Sequence, residues 1–126
     1  MREIIFRGKD LQDNEWIYGS LVQTPNSTRI SCSGEAFPLK VNPETVGQYT
    51  GLVDCNGVKI FEGDIVKHKW EFLSNGNYHH YEDFIVEFKD SAYYIVPIKN
   101  HENIWAVHLN PESEYEVVAN IYDYNI

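Results

Sequence analysis

The segment 44–66, ETVGQYTGLVDCNGVKIFEGDIV, decides the fold, because it holds four of the eight glycines among short runs of apolar and β-branched residues. Its Asn56-Gly57 pair separates GLVDC from VKIF. An Asn-Gly pair between two such runs predicts a β-hairpin with a two-residue type I′ turn, in which both residues take positive φ. The hairpin is predicted to pair residues 52–55 with 58–61.

The other glycines of this segment also predict changes in backbone direction. Gly63, in EGD, supplies a conformation that a β-carbon would oppose, so we expect the chain to reverse there before a strand that begins at Asp64. Gly47 and Gly51 would allow a bulge or a close approach. The segment matches neither G-x-x-x-x-G-K-[ST] nor G-x-G-x-x-G, so its glycines are predicted to form turns rather than to bind phosphate.

Period-2 alternation continues outward from this segment, and it predicts an all-β chain. FIVEFK places Phe84, Val86 and Phe88 on one face of a strand. Short polar connections between such runs favour a small barrel or sandwich over a parallel sheet. Two NPE triplets, at 42–44 and 110–112, predict one or two short helical turns. The other predicted strands are EIIF (3–6), WIYGSLV (16–22), VKIF (58–61), DIVKHKW (64–70), AYYIV (92–96), IWAVHL (104–109) and YEVVANIY (115–122).

The 126 residues, with a mass of 14.7 kDa, predict one domain over 1–126, or two small β lobes of about 1–70 and 71–126. The two cysteines lie far apart, at Cys32 and Cys55, and the chain opens without an apolar leader. We therefore expect free thiols and a cytoplasmic location. Since no apolar run approaches the ~18 residues of a membrane span, no membrane partner is expected.

The net charge of −9 is concentrated in the second half of the chain. Residues 71–126 carry two basic and ten acidic side chains, whereas residues 21–70 carry five of each. Such an acidic half repels the phosphate backbone, so nucleic acid is not the expected partner. The alternative is a local basic strand, in which Lys67 and Lys69 contact phosphates while Trp70 stacks on bases.

Three stretches resemble the YopX family of small proteins encoded by phages and prophages. They are MREIIFRGKD…EWIYGSL at the start, TVGQYTGLVDCNGVKIFEGDIV in the middle and YEVVANIYDYN at the end. Ala119 stands where members of the family usually have glycine. The resemblance implies a mostly β domain with an SH3-like barrel or roll, acting in the bacterial host of a phage or prophage. It implies no established activity.

Residues that could carry chemistry are few, and each has a simpler explanation. Adjacent His79 and His80 would point to opposite faces of a strand, so they could chelate one metal ion only if they lay in a loop. Cys55 has no nearby base in the sequence and is expected to be a small apolar filler. Four carboxylates near the turns could form an acid–base pair, but caps and turn contacts explain them better; they are Glu44, Asp54, Glu62 and Asp64. We therefore predict no enzyme, no metal and no cofactor.

Aromatic residues are 14% of the chain, more than one core face of a small domain can take up. Exposed tyrosine and tryptophan are typical of protein-binding surfaces. The candidate interaction surface consists of Tyr78, His79, His80, Tyr81, Tyr93, Tyr94 and Trp105. The residues predicted to hold the turns are Gly51, Asn56, Gly57, Gly63 and Asp64.

The sequence thus favours a non-enzymatic β module that binds an unidentified host or phage protein, or further copies of itself. Three other hypotheses stay open. The first is an acidic inhibitor that mimics nucleic acid and occupies a host nucleic-acid-binding protein. The second is a small nucleic-acid-binding barrel that uses the Lys67 strand, and the third is an unrecognised hydrolase.

Overall fold

In a computed structural model the chain is almost entirely β, which confirms the predicted class. The structure describes residues 3–72, 78–98, 107–111 and 114–123, with only the backbone of 69–72 and 78–82. The strands are β1 (Phe6–Lys9), β2 (Trp16–Thr24), β3 (Ser27–Ser31), β4 (Leu39–Lys40), β5 (Gly47–Val53), β6 (Lys59–Phe61), β7 (Asp64–Phe72), β8 (Tyr78–Lys89), β9 (Ala92–Pro97), β10 (Val107–His108) and β11 (Tyr115–Asn120). They fall into two compact units, Met1–Gly51 and Leu52–Ile126.

The first unit is an antiparallel sheet in which β1 lies between β2 and β5. The strand order in this unit is β4-β3-β2-β1-β5. Ile17, Ile30 and Val41 form the buried core of the unit. Because successive side chains alternate across a strand, the basic Arg7 and Lys9 of β1 lie on the opposite face, against the ring of Trp16.

The second unit is an antiparallel sheet with the order β10-β9-β8-β7-β11. β7 and β8 pair over eight positions, from Ile65 opposite Ile85 to Phe72 opposite Tyr78. One face carries the core of the unit, which consists of Ile60, Val66, Phe84, Val86, Ile95 and Tyr115. The alternation read from FIVEFK is therefore correct for Phe84 and Val86, whereas Phe88, at the end of β8, is 52% exposed.

Of the predicted barrel or roll, a closed barrel is not formed in the described part of the chain. Each sheet has two different end strands, so neither one closes on itself there. Most predicted strands are present, but β3 and β4 were missed. β3, STRIS, is mainly polar and turns only Ile30 fully inward, and β4 has two residues. Such strands form because they pair with neighbours, not because of their own pattern.

The first NPE triplet forms the predicted helical turn. Pro43–Thr45 is a 3-10 turn, and the Asn42 side chain accepts a hydrogen bond from the Glu44 N–H at 3.0 Å. Part of the second triplet, Glu112, lies outside the described residues. The boundary between the two units, after Gly51, differs from the boundary near residue 70 that was predicted for two lobes. That the chain forms one domain stays a prediction.

The hairpin and following strand predicted over 51–70 are present, but the type I′ turn is wrong. The Asp54 N–H donates to the Val58 carbonyl at 2.7 Å, so three residues form the loop. Gly57 has φ of 81°, whereas Asn56 does not have positive φ. A three-residue loop with glycine in the left-handed position is the next most common hairpin connection. The Asp54 side chain favours it, because one carboxylate oxygen accepts the N–H groups of both Asn56 and Val58.

Candidate functional site

The two edges of the second unit's sheet differ. β11 forms one edge, and the β5–β6 turn covers it: the Cys55 N–H donates to the Tyr115 carbonyl at 2.8 Å, and the Val117 N–H donates to Asp54 Oδ2 at 2.9 Å. β11 also has an irregular register between Val117 and Ala119. A covered and bulged edge is a poor template for a further strand.

Asp54 is the residue that holds the β5–β6 turn against β11. Its side chain is only 6% exposed, and its two carboxylate oxygens accept three backbone N–H groups, from Asn56, Val58 and Val117. Burial by itself would raise the pKa of Asp54, but the three hydrogen bonds favour the ionised form more strongly, and the pKa is lowered from 3.8. An ionised carboxylate occupied by the backbone is suited to holding two segments together, not to giving up a proton.

A second contact between the glycine-rich segment and the end of the chain lies at the reversal before β7. Gly63 has φ of 90°, as predicted, and its carbonyl accepts the Ile121 N–H at 2.9 Å. The Phe61 N–H donates to Asp64 Oδ2 at 2.8 Å within the same reversal. The glycine-rich segment and the end of the chain, which are both part of the sequence resemblance, therefore meet in one unit. Gly63 is the glycine that makes this contact.

The opposite edge of the sheet is β10, which pairs with β9 through Val107 opposite Ile95 and His108 opposite Tyr94. The Leu109 N–H donates to the Tyr93 carbonyl at 3.0 Å. Because bonding direction alternates along an antiparallel strand, the N–H of His108 points away from β9. No further strand pairs with β10 among the described residues.

Aromatic rings lie near β10 on both faces of the sheet. The Tyr94 and His108 rings have centroids 4.4 Å apart, and those of Phe88 and Tyr93 are 5.0 Å apart. Phe88 is 52% and Val107 is 49% exposed. We call Tyr93, Tyr94, Val107 and His108 the β10 edge; Phe88 lies one strand further in, on β8, opposite Tyr93.

The structure brings part of the predicted surface to the β10 edge. Tyr93 is half-buried against the core, and Tyr94 is half-buried beside His108. Tyr78, His79, His80 and Tyr81 lie on β8 by their backbone, and their side chains are outside the described atoms. Trp105 lies outside the described residues. Phe88, Val107 and His108 were missed, although the alternation of FIVEFK already placed Phe88 on a strand.

The alternative basic strand is partly neutralised. Lys67 is exposed, but in register it lies between Glu116 of β11 and Asp83 of β8. Lys69 and Trp70 lie opposite Tyr81 and His80 by their backbone. Flanking carboxylates weaken the attraction of Lys67 for phosphate, so this strand is a poor start for nucleic-acid binding.

Cys55 is exposed, so its interpretation as an apolar filler is wrong. Local desolvation, followed by the negative charges of Asp54, Glu116 and Glu114, raises the pKa of the Cys55 thiol. A raised pKa lowers the thiolate fraction and disfavours a nucleophilic role. In the part of the chain that the structure covers, no three His, Cys, Asp or Glu side chains converge in a way that could hold a metal ion.

A protein-family model described as YopX protein matches residues 5–125, nearly the whole chain. No curated protein has a sequence that matches this chain. The described residues contain no helix with the length and apolar character to cross a membrane.

Proposed function

The chain belongs to the YopX family, and with its sheet edges in view we propose that it is a non-enzymatic module that binds a protein by adding a strand to the β10 edge. The observation that carries this proposal is the difference between the two edges. The chain's own turn covers β11, whereas no described strand pairs with the outer side of β10, where the exposed Val107 lies beside the outward backbone groups. An uncovered edge with apolar neighbours suits strand addition.

The partner we propose is an extended, basic segment of another protein. Residues 52–126 hold five basic and 13 acidic side chains, a net charge of −8. Backbone hydrogen bonds would supply affinity, the rings would pack against alternate side chains, and the charge would speed the encounter. A second copy of the chain is the less favoured partner, because two acidic units repel each other.

The setting of this activity follows from the family resemblance. We propose that the protein acts in the cytoplasm of the bacterial host of a phage or prophage, and that its partner is a host or phage protein. We also propose, from the same resemblance, that the arrangement of the strands is similar to that of an SH3-like roll. A second candidate function is that of an acidic inhibitor, which would occupy a host nucleic-acid-binding protein. The net charge of residues 52–126 supports it.

The test is a capture experiment in host lysate with two variants of one residue. His108→Pro removes the outward N–H and adds a ring that blocks strand pairing. His108→Ala removes the imidazole but keeps the N–H. Mass spectrometry should identify a partner that the wild type and His108→Ala retain and His108→Pro loses. Phe37→Asp, which changes a phenylalanine 79% exposed in the first unit, serves as the control and should retain it.

Other outcomes separate the alternatives. A partner that all variants retain, and that is released by salt, would support the acidic inhibitor and contradict strand addition at β10. Light scattering at several protein concentrations measures self-association. A dimer that His108→Pro dissociates would replace the basic partner with a second copy.

A further inference from the structure

A cavity of about 340 Å³ opens in the first unit between the β2–β3 turn and the segment 40–43. Its polar lining includes the hydroxyl residues Thr24, Ser27 and Thr28, together with the ammonium-bearing Lys40. Leu11, Val41 and two prolines supply apolar surface. The volume is at the lower end of the range for small-molecule sites. Among the described residues no carboxylate lines it, and Lys40 gives it a positive charge.

A pair of like charges lies on the adjoining sheet. Arg29 of β3 is directly opposite Lys40 of β4, and such a pair is destabilising unless an anion neutralises it. The guanidinium of Arg29 donates to neutral acceptors, Ser27 Oγ at 3.3 Å and the Pro38 carbonyl at 3.2 Å. Within the described part of the chain, neither Arg29 nor Lys40 makes an ion pair with a carboxylate. The acidic residues of this unit lie before β1 and in turns and loops instead.

We propose that this cavity binds a small organic anion, in which one phosphate or carboxylate group is joined to a compact apolar body. The oxyanion would lie at Lys40 and accept hydrogen bonds from the hydroxyls of Ser27 and Thr28. Charge-assisted bonds of this kind are shorter and stronger than neutral ones. The apolar body would pack against Leu11 and Val41.

The hydroxyl pair at the turn is already ordered for this role. Thr24 Oγ1 lies 3.0 Å from Ser27 Oγ, and the Ser27 N–H donates to Thr24 Oγ1 at 3.1 Å. Ser27 also accepts from Arg29 Nε, so the positive charge of Arg29 polarises the Ser27 hydroxyl toward an acceptor in the cavity. The site lies within the first unit and is independent of the β10 edge.

The probes are phenyl phosphate and benzoate, which share a body and differ in the anionic group, and benzyl alcohol, which carries no charge. Each is titrated into ¹⁵N-labelled protein at constant ionic strength, and amide shifts are followed by NMR. One anion should give saturable shifts confined to residues 24–28 and 40–43, and benzyl alcohol should give none. The anion that binds more tightly identifies the phosphate or the carboxylate class.

Two lysine variants decide the result. Lys40→Gln should weaken binding about tenfold or more, the usual effect of losing one charge-assisted hydrogen bond. Lys59→Gln, which changes an exposed lysine of the second unit, should leave the affinity unchanged. The proposal is overturned if neither anion gives saturable shifts up to about 20 mM, well above the Kd of a millimolar ligand. It is also overturned if Lys40→Gln binds as the wild type does, or if duplex DNA shifts the same residues at lower concentration.

Discussion

At the scale of single residues, Asp54 is the most informative side chain of the family-matched segment. It was considered as half of an acid–base pair, yet its oxygens are occupied by three backbone N–H groups, one of them 63 positions away in sequence. The local part of this arrangement could be read from the sequence, since Asp before Asn-Gly often accepts bonds from its own turn. The bond to Val117 could not, because no local pattern specifies which distant strand will lie beside a turn.

Replacing Asp54 with asparagine should destabilise the protein by about 1–3 kcal/mol, because the amide keeps one acceptor oxygen and brings a donor toward a backbone N–H. The free energy of unfolding in urea measures this effect. Asp90→Asn is the matched control, since Asp90 is exposed and asparagine tolerates its φ of 51°. Equal stabilities for the two variants would show that the bonds to Asp54 contribute little.

The lowered pKa of Asp54 gives this contribution a defined pH dependence. The folded state holds the carboxylate ionised at a lower pH than the unfolded chain does, so stability rises with pH where Asp54 titrates. The difference in unfolding free energy between wild type and Asp54→Asn should therefore be complete well above the ordinary aspartate pKa of 3.8 and shrink as the pH falls below it. Urea unfolding at neutral pH and at several acidic pH values tests this. A difference that grows with acid would contradict it.

At the scale of elements, the strands that alternate clearly could be predicted, and those defined by pairing could not. The apolar residues of AYYIV and DIVKHKW are enough to predict β9 and β7. β4 exists because Leu39 and Lys40 pair with Ile30 and Arg29. β10 lies within the predicted strand IWAVHL (104–109), but its position at the edge could not be predicted, since that depends on the order of strands in the sheet.

The two turn glycines of the segment should differ in their tolerance of substitution. A β-carbon at Gly57 would meet open space, so valine there should cost about 1–3 kcal/mol from the strain of positive φ alone. At Gly63 the β-carbon would also lie 3.0 Å from Tyr122 Cε2, so valine should cost more. Thermal unfolding of both variants, with Gly57→Asn as a control that accepts positive φ, measures the order. A Gly57 variant less stable than its Gly63 counterpart would contradict the packing at Tyr122.

At the scale of the whole molecule, charge and sheet edges point to different classes of partner for the two units. The first unit has five basic and six acidic residues. Its Arg29 and Lys40 lie opposite each other beside a cavity, and neither makes an ion pair among the described residues. The second has a net charge of −8, and its β10 edge, which carries aromatic rings, has no further strand paired with it among the described residues. Net charge was readable from the sequence. Its division between units was readable only in part, because the predicted lobes met near residue 70 and the units meet at Gly51.

The same charge distribution predicts no appreciable affinity for duplex DNA at physiological salt. The chain carries −9 overall, and Lys67, on the strand considered for DNA contact, has Glu116 and Asp83 opposite it on its two neighbouring strands. A fluorescence titration with labelled duplex in about 150 mM salt should show no saturation at micromolar protein, since few phosphate contacts survive such screening. Glu116→Gln removes one flanking carboxylate and should at most raise weak binding at low salt. The contradicting outcome is submicromolar binding by the wild type that Lys67→Gln abolishes. It would mean that the cations of β7 reach phosphates despite their acidic neighbours, and that β7 is the functional surface.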